Sequence, residues 1–234
     1  GFVGGMDIPL IRRFGCGFAQ GVKAVNADAT IIANMTGTTP AAWNDPVKGS
    51  ELTKAQISQG ADVVFAAAGG TGVGVLQTAA DEGILSIGVD SNQNYMHPGK
   101  VLTSMLKRVD NAVYEAFSQG DALETGNFQM GVANGGVGYA LDEFNASLVS
   151  ADMQSAVEAA AAAITAGALS VHDYTADETC RANGWILANA DQGIGSISVV
   201  ALSFMVQLPN GISDLSSAMS LSESLRRYRS IEVS

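Results

Sequence analysis

Two short segments of this chain end apolar runs in residues that could meet a ligand. Gly69-Gly70-Thr71 follows Val63 to Ala68, and Asp90-Ser91-Asn92 follows Ile84 to Val89. Each run is too short for a helix and is closed by turn residues, the pattern of a strand buried on both faces of a parallel sheet. Between them Thr71 to Glu82 places Val73, Leu76, Ala79 and Ala80 at helical spacing, and Gly83 stands where a helix end takes a left-handed residue. The stretch reads as one βαβ unit. Both turns then lie at the carboxyl ends of their strands, on the edge where open α/β sheets bind ligands. The chemistry offered there is close backbone approach at the glycine turn and a carboxylate, Asp90, at the next strand end.

Gly70, Gly72 and Gly74 crowd the start of the predicted helix, and a helix N-terminus suits an anion. The order Gly70-Thr-Gly72-Val-Gly74-Val misplaces the third glycine of the dinucleotide fingerprint, however, and no Lys-Ser/Thr pair follows to complete a P-loop. The turn therefore reads as a tight turn with a neutral ligand or none. Taken alone, Asp90 could equally cap the following turn, and Lys107 could be an exposed charge at a helix start. His97 and His172 have no second ligand or nucleophile at a useful spacing and read as surface residues. Cys16 and Cys180 match no metal or CxxC spacing and read by default as unpaired, Cys16 in the core of its helix; a disulfide between them is the alternative that the spacing does not support. Arg12 and Arg13 sit near a helix start, where the dipole disfavours cations, and would reach solvent or a partner. Asp142-Glu143 reads as a solvated pair. Asn145-Ala-Ser147 fits a glycosylation sequon, a pattern short enough to arise by chance.

The elements that must position these residues alternate from the first residue. Gly1 to Gly5 reads as a strand, and Pro9 to Val25 as a helix with Ile11, Phe14, Phe18, Val22 and Val25 on its apolar face. Thr30 to Met35 is a strand, followed by a loop with Pro40, Trp43, Asp45 and Pro46 and a helix from Lys48 to Gln59. After the central unit, Val101 to Met105 reads as a strand and Lys107 to Phe117 as a helix with Val109, Val113 and Phe117 inward. Phe128 to Val132 is predicted as a short strand, Asn134-Gly-Gly-Val-Gly138 as a sharp turn, and Leu169 to His172 as a last short strand. Ser150 caps a helix with Met153, Val157, Ala161 and Ile164 on one face and Gly167 at its end. Strict alternation predicts a doubly wound parallel sheet.

The chain has 234 residues, 47% hydrophobic, enough for a substantial core. Its net charge of −11 disfavours nucleic acid and anionic membranes as partners. No apolar run reaches the length of a membrane-crossing helix. Beyond Cys180 the character changes: residues 181–234 contain no lysine, serines gather at Ser216, Ser217, Ser220, Ser222 and Ser224, and Arg226, Arg227 and Arg229 cluster. Ile194 to Leu208 is an apolar run. This tail reads either as a buried helix or strand pair or as a segment foreign to the fold.

Several segments in order carry a family resemblance: GFVGGMDIPLIRRFGCGFAQGVKAVN, TPAAWNDPVKGSELTKAQISQGADVVFAAAGGTGVGV, GILSIGVDSNQ, VLTSMLKRVDNAVYEA, GGVGYALDEFN and ALSVHDYT. Over residues 1 to 178 the chain resembles the basic membrane protein family, nucleoside-binding proteins that serve ABC transporters. The resemblance implies a type I periplasmic-binding-protein fold, two α/β lobes holding a nucleoside between them without chemical conversion. It implies no cofactor, permease subunits as partners, an extracytoplasmic location, and membrane association only through a lipid anchor upstream. The chain begins at what resembles the first strand of the second lobe, so a ligand-binding domain over 1–126, a crossover segment over 127–178 and an atypical tail over 179–234 are expected, with the first lobe absent. Carried over residue by residue, Asp90 matches the carboxylate that takes ribose hydroxyls and Lys107 the lysine that reaches the same sugar. Gly69 and Gly70 would let backbone approach the ligand, and either Trp43 or Phe65 would wall the base. The competing readings are a sugar- or small-molecule-sensing lobe of the same fold and a nucleoside- or nucleotide-using enzyme.

Overall fold

The computed structural model describes residues 1–180 and the backbone of Trp185–Leu187. Its elements, in chain order, are β1 (Phe2–Met6), α1 (Pro9–Val25), β2 (Ile31–Gly37), α2 (Pro46–Ser58), β3 (Val63–Ala67), α3 (Thr71–Asp81), β4 (Leu85–Asp90), β5 (Val101–Lys107), α4 (Val109–Gln119), β6 (Val137–Tyr139), α5 (Ala151–Thr165) and β7 (Trp185–Leu187). Among the described residues these build a seven-stranded sheet in the order β6-β5-β4-β3-β1-β2-β7, parallel except for antiparallel β6. The direction of winding reverses between β1 and β3, which makes their carboxyl ends the topological switch point where such sheets bind ligands.

The period of two along the strands sorts the side chains into two cores. Phe2, Phe65, Ile87, Leu102 and Met105 face α1 and α5, meeting Ile11, Phe14, Phe18, Met153 and Val157. Val3, Val64, Ala66 and Val101 face the other way, with Val75 and Leu76 of α3. The sheet is thus covered on both sides, as the alternation of elements requires. Residues on both sides of position 126 contribute to the first core, since Val149, Met153 and Val157 share it with Phe2 and Phe65.

The sites of local signals are well marked. Asp45 caps α2 by accepting from the Lys48 backbone N–H at 2.9 Å, with Pro46 in the first turn. Ser150 Oγ accepts from the Met153 backbone N–H at 3.2 Å. On α3 the inward face is Gly72, Val75, Leu76 and Ala79, and Val73 is exposed. The cause is the tight approach of α3 to α2: a Cβ on Gly74 would collide with the Pro46 carbonyl, and one on Gly49 with the Thr71 carbonyl. Of the glycines that crowd this helix start, Gly74 serves helix packing.

Three predicted elements differ. Residues 128–132 form no strand. The Asn134 side chain accepts from the Gly131 backbone N–H at 2.7 Å and donates to the Gln129 carbonyl at 3.1 Å, folding this stretch into a compact loop. Pairing with β5 begins only at Val137. Leu169 to His172 also forms no strand, because the Gln20 side chain accepts from the His172 N–H at 2.9 Å and donates to its carbonyl at 3.2 Å. The helix predicted from Lys107 begins at Val109, Lys107 being the last residue of β5. Val109, Val113 and Phe117, expected inward, are exposed, Phe117 by 82%.

Cys16 and Cys180 form a disulfide, with Cα atoms 5.5 Å apart, against the expectation that both are unpaired. They share a small buried cluster with Tyr174. The segment between His172 and Cys180 is laid along α1: Arg13 Nη2 donates to Thr175 Oγ1 at 2.9 Å, and His172 Nε2 lies 2.9 Å from Asp177 Oδ1. His172 is therefore a packed residue of this strap, not a surface one. β7 pairs parallel with β2 through Ile31↔Trp185 to Ala33↔Leu187. The apolar run 194–208, the serine cluster and the three arginines lie outside the described residues.

Candidate functional site

The carboxyl edge of the sheet collects the ends of its six parallel strands. At the end of β4, Asp90 has φ of 65°, a left-handed conformation that Asp tolerates better than most residues. Ile87 and Val89 face α1 and α5, so continued extension would aim Asp90 at the opposite face. The left-handed turn breaks that alternation. One strand along, Met105 faces the α1 side, and Lys107, two residues later, follows it. Asp90 Oδ1 and Lys107 Nζ meet at 2.8 Å, with the two side chains 52% and 44% exposed respectively. Lys107 Nζ also lies 5.8 Å from the centroid of the Phe14 ring.

At the switch point, Gly69 has φ of 56° and Gly70 opens α3. The Trp43 loop lies against both: a Cβ on Gly69 would stand 3.3 Å from the Trp43 carbonyl, and one on Gly70 3.0 Å from Asn44 Oδ1. Gly5, in β1, is in turn pressed against the Trp43 indole, where a Cβ would overlap the six-membered ring. Trp43 thus spans the ends of β1 and β3. Thr71 fixes its loop, accepting from the Asp45 N–H at 2.8 Å and donating to the Ala42 carbonyl at 2.8 Å. Phe65 is elsewhere. It is 1% exposed, with its ring 5.7 Å from that of Phe2 and 5.6 Å from that of Phe18. A mid-strand residue facing α1 presents no surface to a ligand, so of the two aromatic candidates only Trp43 lies at the edge.

Residues outside the predicted site support the edge. The Arg12 guanidinium, buried, makes a two-pronged contact with the Asp7 carboxylate just past β1. Arg12 is therefore internal and does not reach for solvent or a partner. Its apolar neighbours gave no sign of this, because a charged residue beside a helix's apolar face usually reaches solvent.

Behind β4 and β5 a polar network fixes the Asp90 turn. The Gln93 side chain accepts from the Val89 N–H at 2.8 Å, and Ser104 Oγ accepts from the Gln93 N–H at 2.9 Å and donates to Asn94 Oδ1 at 2.8 Å. Asn92 and Asn94 both donate to Asp142 Oδ2, at 2.7 and 3.1 Å, and the Phe144 N–H donates to Asp142 Oδ1 at 2.8 Å. Asp142 is a hub and not a solvated charge. Burial by itself raises its carboxyl, but the hydrogen bonds from Asn92, Phe144, Asn94 and Asn145 outweigh it and hold the pKa below the ordinary value. Asn145, 0% exposed, donates to the carbonyls of Leu102 at 2.8 Å and Ala140 at 3.0 Å.

Among the described residues there is no group of three or more His, Cys, Asp or Glu able to hold a metal, and no helix long and apolar enough to cross a membrane. The arrangement offers a neutral polar ligand one carboxylate, one ammonium, a glycine turn and an indole.

A doubly wound lobe of the type I periplasmic-binding kind, with its polar groups gathered on the carboxyl edge, is the architecture of solute-binding proteins. The chain belongs to the Bmp family, ABC transporter substrate-binding protein PnrA-like, which matches residues 1–170. It is 32% identical over 151 residues to Basic membrane protein D of Borreliella burgdorferi (strain JD1), covering 61% of this chain and 42% of that protein. It is also 32% identical over 166 residues to the ABC transporter nucleoside-binding protein BmpA of Lactococcus lactis subsp. cremoris (strain MG1363), covering 61% of this chain and 45% of that one. The chain thus spans under half the length of these relatives. Among solved structures it is similar to an ABC transporter system solute-binding protein from Aeropyrum pernix K1, with a TM-score of 0.57, 25% identity, and coverage of 100% of this chain and 56% of the other.

Proposed function

We propose that this chain carries one wall of a nucleoside-binding cleft and serves as the receptor of an ABC importer, releasing its ligand unchanged to permease subunits. The observation that carries the reading is the Asp90–Lys107 pair, 2.8 Å apart, on the same strand-end edge as Gly69, Gly70 and Trp43. A carboxylate can accept from two vicinal ribose hydroxyls while the adjacent ammonium donates to a sugar oxygen. The Trp43 indole supplies an apolar wall for a base. The name of the Lactococcus relative supports a nucleoside as the ligand class. Because the matched relatives are more than twice as long as the matched region, we assign the opposite wall to a second α/β lobe, whose closure would signal occupancy. That lobe would also cover the exposed apolar face of α4. The Cys16–Cys180 disulfide supports an oxidising, extracytoplasmic setting.

The test is an amide-resolved NMR titration of this chain with adenosine, guanosine, a 2′,3′-dideoxynucleoside and free ribose. Ribonucleosides should shift Asp90, Lys107, Gly69, Gly70 and the Trp43 indole N–H, with the dideoxy analogue much weaker. Equal response to free ribose would replace the nucleoside with a sugar. Silence of all five residues at solubility-limited nucleoside would remove them from the site.

A further inference from the structure

We propose that Phe14 is a positioning residue for this edge: the face of its ring supports the Lys107 ammonium and so holds the Asp90–Lys107 pair in the geometry it presents. The inference rests on the nucleoside reading only for its final consequence, ligand affinity. Phe14 projects from α1, buried among the core side chains, and Lys107 Nζ stands 5.8 Å from its ring centroid, within the range of a cation–π attraction. Core filling depends on the volume and shape of this side chain and not on the charge distribution of its ring face. The aromatic face matters because of what lies over it.

Lys107 needs that support. Its side chain is 44% exposed, and Asp90, with which it forms an ion pair, is 52% exposed. A half-exposed pair gains little from Coulomb attraction and costs the freedom of a four-carbon stem. On the opposite side, the Asp90 turn is already fixed by its left-handed backbone and by Gln93 accepting from the Val89 N–H. Asp90 is therefore held from below by the network, and Lys107 from below by the Phe14 ring. Together they leave the two charged ends facing the open edge.

The experiment replaces Phe14 in the full chain by 4-fluoro-, 3,5-difluoro- and 3,4,5-trifluorophenylalanine, a series that drains the ring face of negative potential with little change of volume, alongside Phe14→Leu. The first readout is ligand-free: ring-current displacement of the Lys107 ε-methylene protons and the order parameter of its ammonium nitrogen. Ammonium order should fall stepwise along the fluorinated series at constant melting temperature, and Phe14→Leu should abolish the ring-current displacement. A flat series would overturn the proposal, since a ring that only fills space is indifferent to fluorine. The second readout is the adenosine Kd, expected to rise about two- to five-fold along the series. If ammonium order responds and no form binds adenosine, the positioning role stands and the nucleoside reading fails.

Discussion

Asp90 combines two demands, a left-handed backbone and a carboxylate, that few residues meet together. Asn meets the first and not the second. Asp90→Asn should therefore keep the fold, because the half-exposed pair with Lys107 contributes at most about 1 kcal/mol. Under the proposed function it should cost ligand binding about 1.5–3 kcal/mol, the worth of a hydrogen bond to a charged group. Asp90→Val should lose stability as well, since a β-branched side chain at φ of 65° is strained. Thermal melts beside calorimetric titration separate the two; unchanged affinity in Asp90→Asn would take the carboxylate out of recognition. The place of this carboxylate at a strand end was legible, because a carboxylate closing an apolar run is a local pattern. The ring beneath Lys107 was not, since Phe14 and Lys107 meet only once β1, β3, β4 and β5 are side by side in the sheet. Trp43 and Phe65 could not be told apart in sequence because both adjoin the glycine turn, and only the sheet decides that one faces the edge and the other the core.

At the level of elements, periodicity located α1, α3, β3 and β4 because each buries a face whose spacing is fixed by backbone geometry. It could not tell what lies opposite a face. α4 is amphipathic, yet among the described residues Val109, Val113 and Phe117 meet solvent. The strands predicted at 128–132 and 169–172 failed for another reason: side-chain amides of Asn134 and Gln20 take the backbone groups that a ladder would have used. The same chemistry joins the loops after β4 and β6 through Asp142. Its carboxyl lies below the ordinary value when folded, so its stabilisation is complete above the unfolded-state pKa of about 3.9 and is lost as pH falls through the lower folded-state value. Asp142→Asn should lower the melting temperature at neutral pH and flatten its decline in acid. Parallel pH profiles for the two proteins would show that the hub carries no such linkage.

For the whole molecule, the disulfide joins residues 164 positions apart, binding the strap that ends at Cys180 to the helix that follows the first strand. By loop-closure entropy such a crosslink stabilises by up to about 5 kcal/mol. Reduction should therefore shift the urea midpoint well to lower concentration, and a Cys16→Ser, Cys180→Ser double variant should match the reduced protein and ignore reductant. Coincident curves for oxidised and reduced wild type would show that the strap is held by its hydrogen bonds alone. Nothing in the spacing of the two cysteines announced the pair, because a contact between the first helix and the far end of the fold is a property of topology.

The burial of Asn145 has a practical corollary for production of the protein. Its side-chain nitrogen is spent on two carbonyls inside the fold, so no sugar can be attached there once the chain has folded. A eukaryotic secretory host modifies Asn-X-Ser before folding is complete, and a glycan placed on Asn145 at that moment could not be accommodated inside. Secretion from such a host should yield retained, glycosidase-sensitive material, and Ser147→Ala, which alters only an exposed serine, should restore the secreted yield.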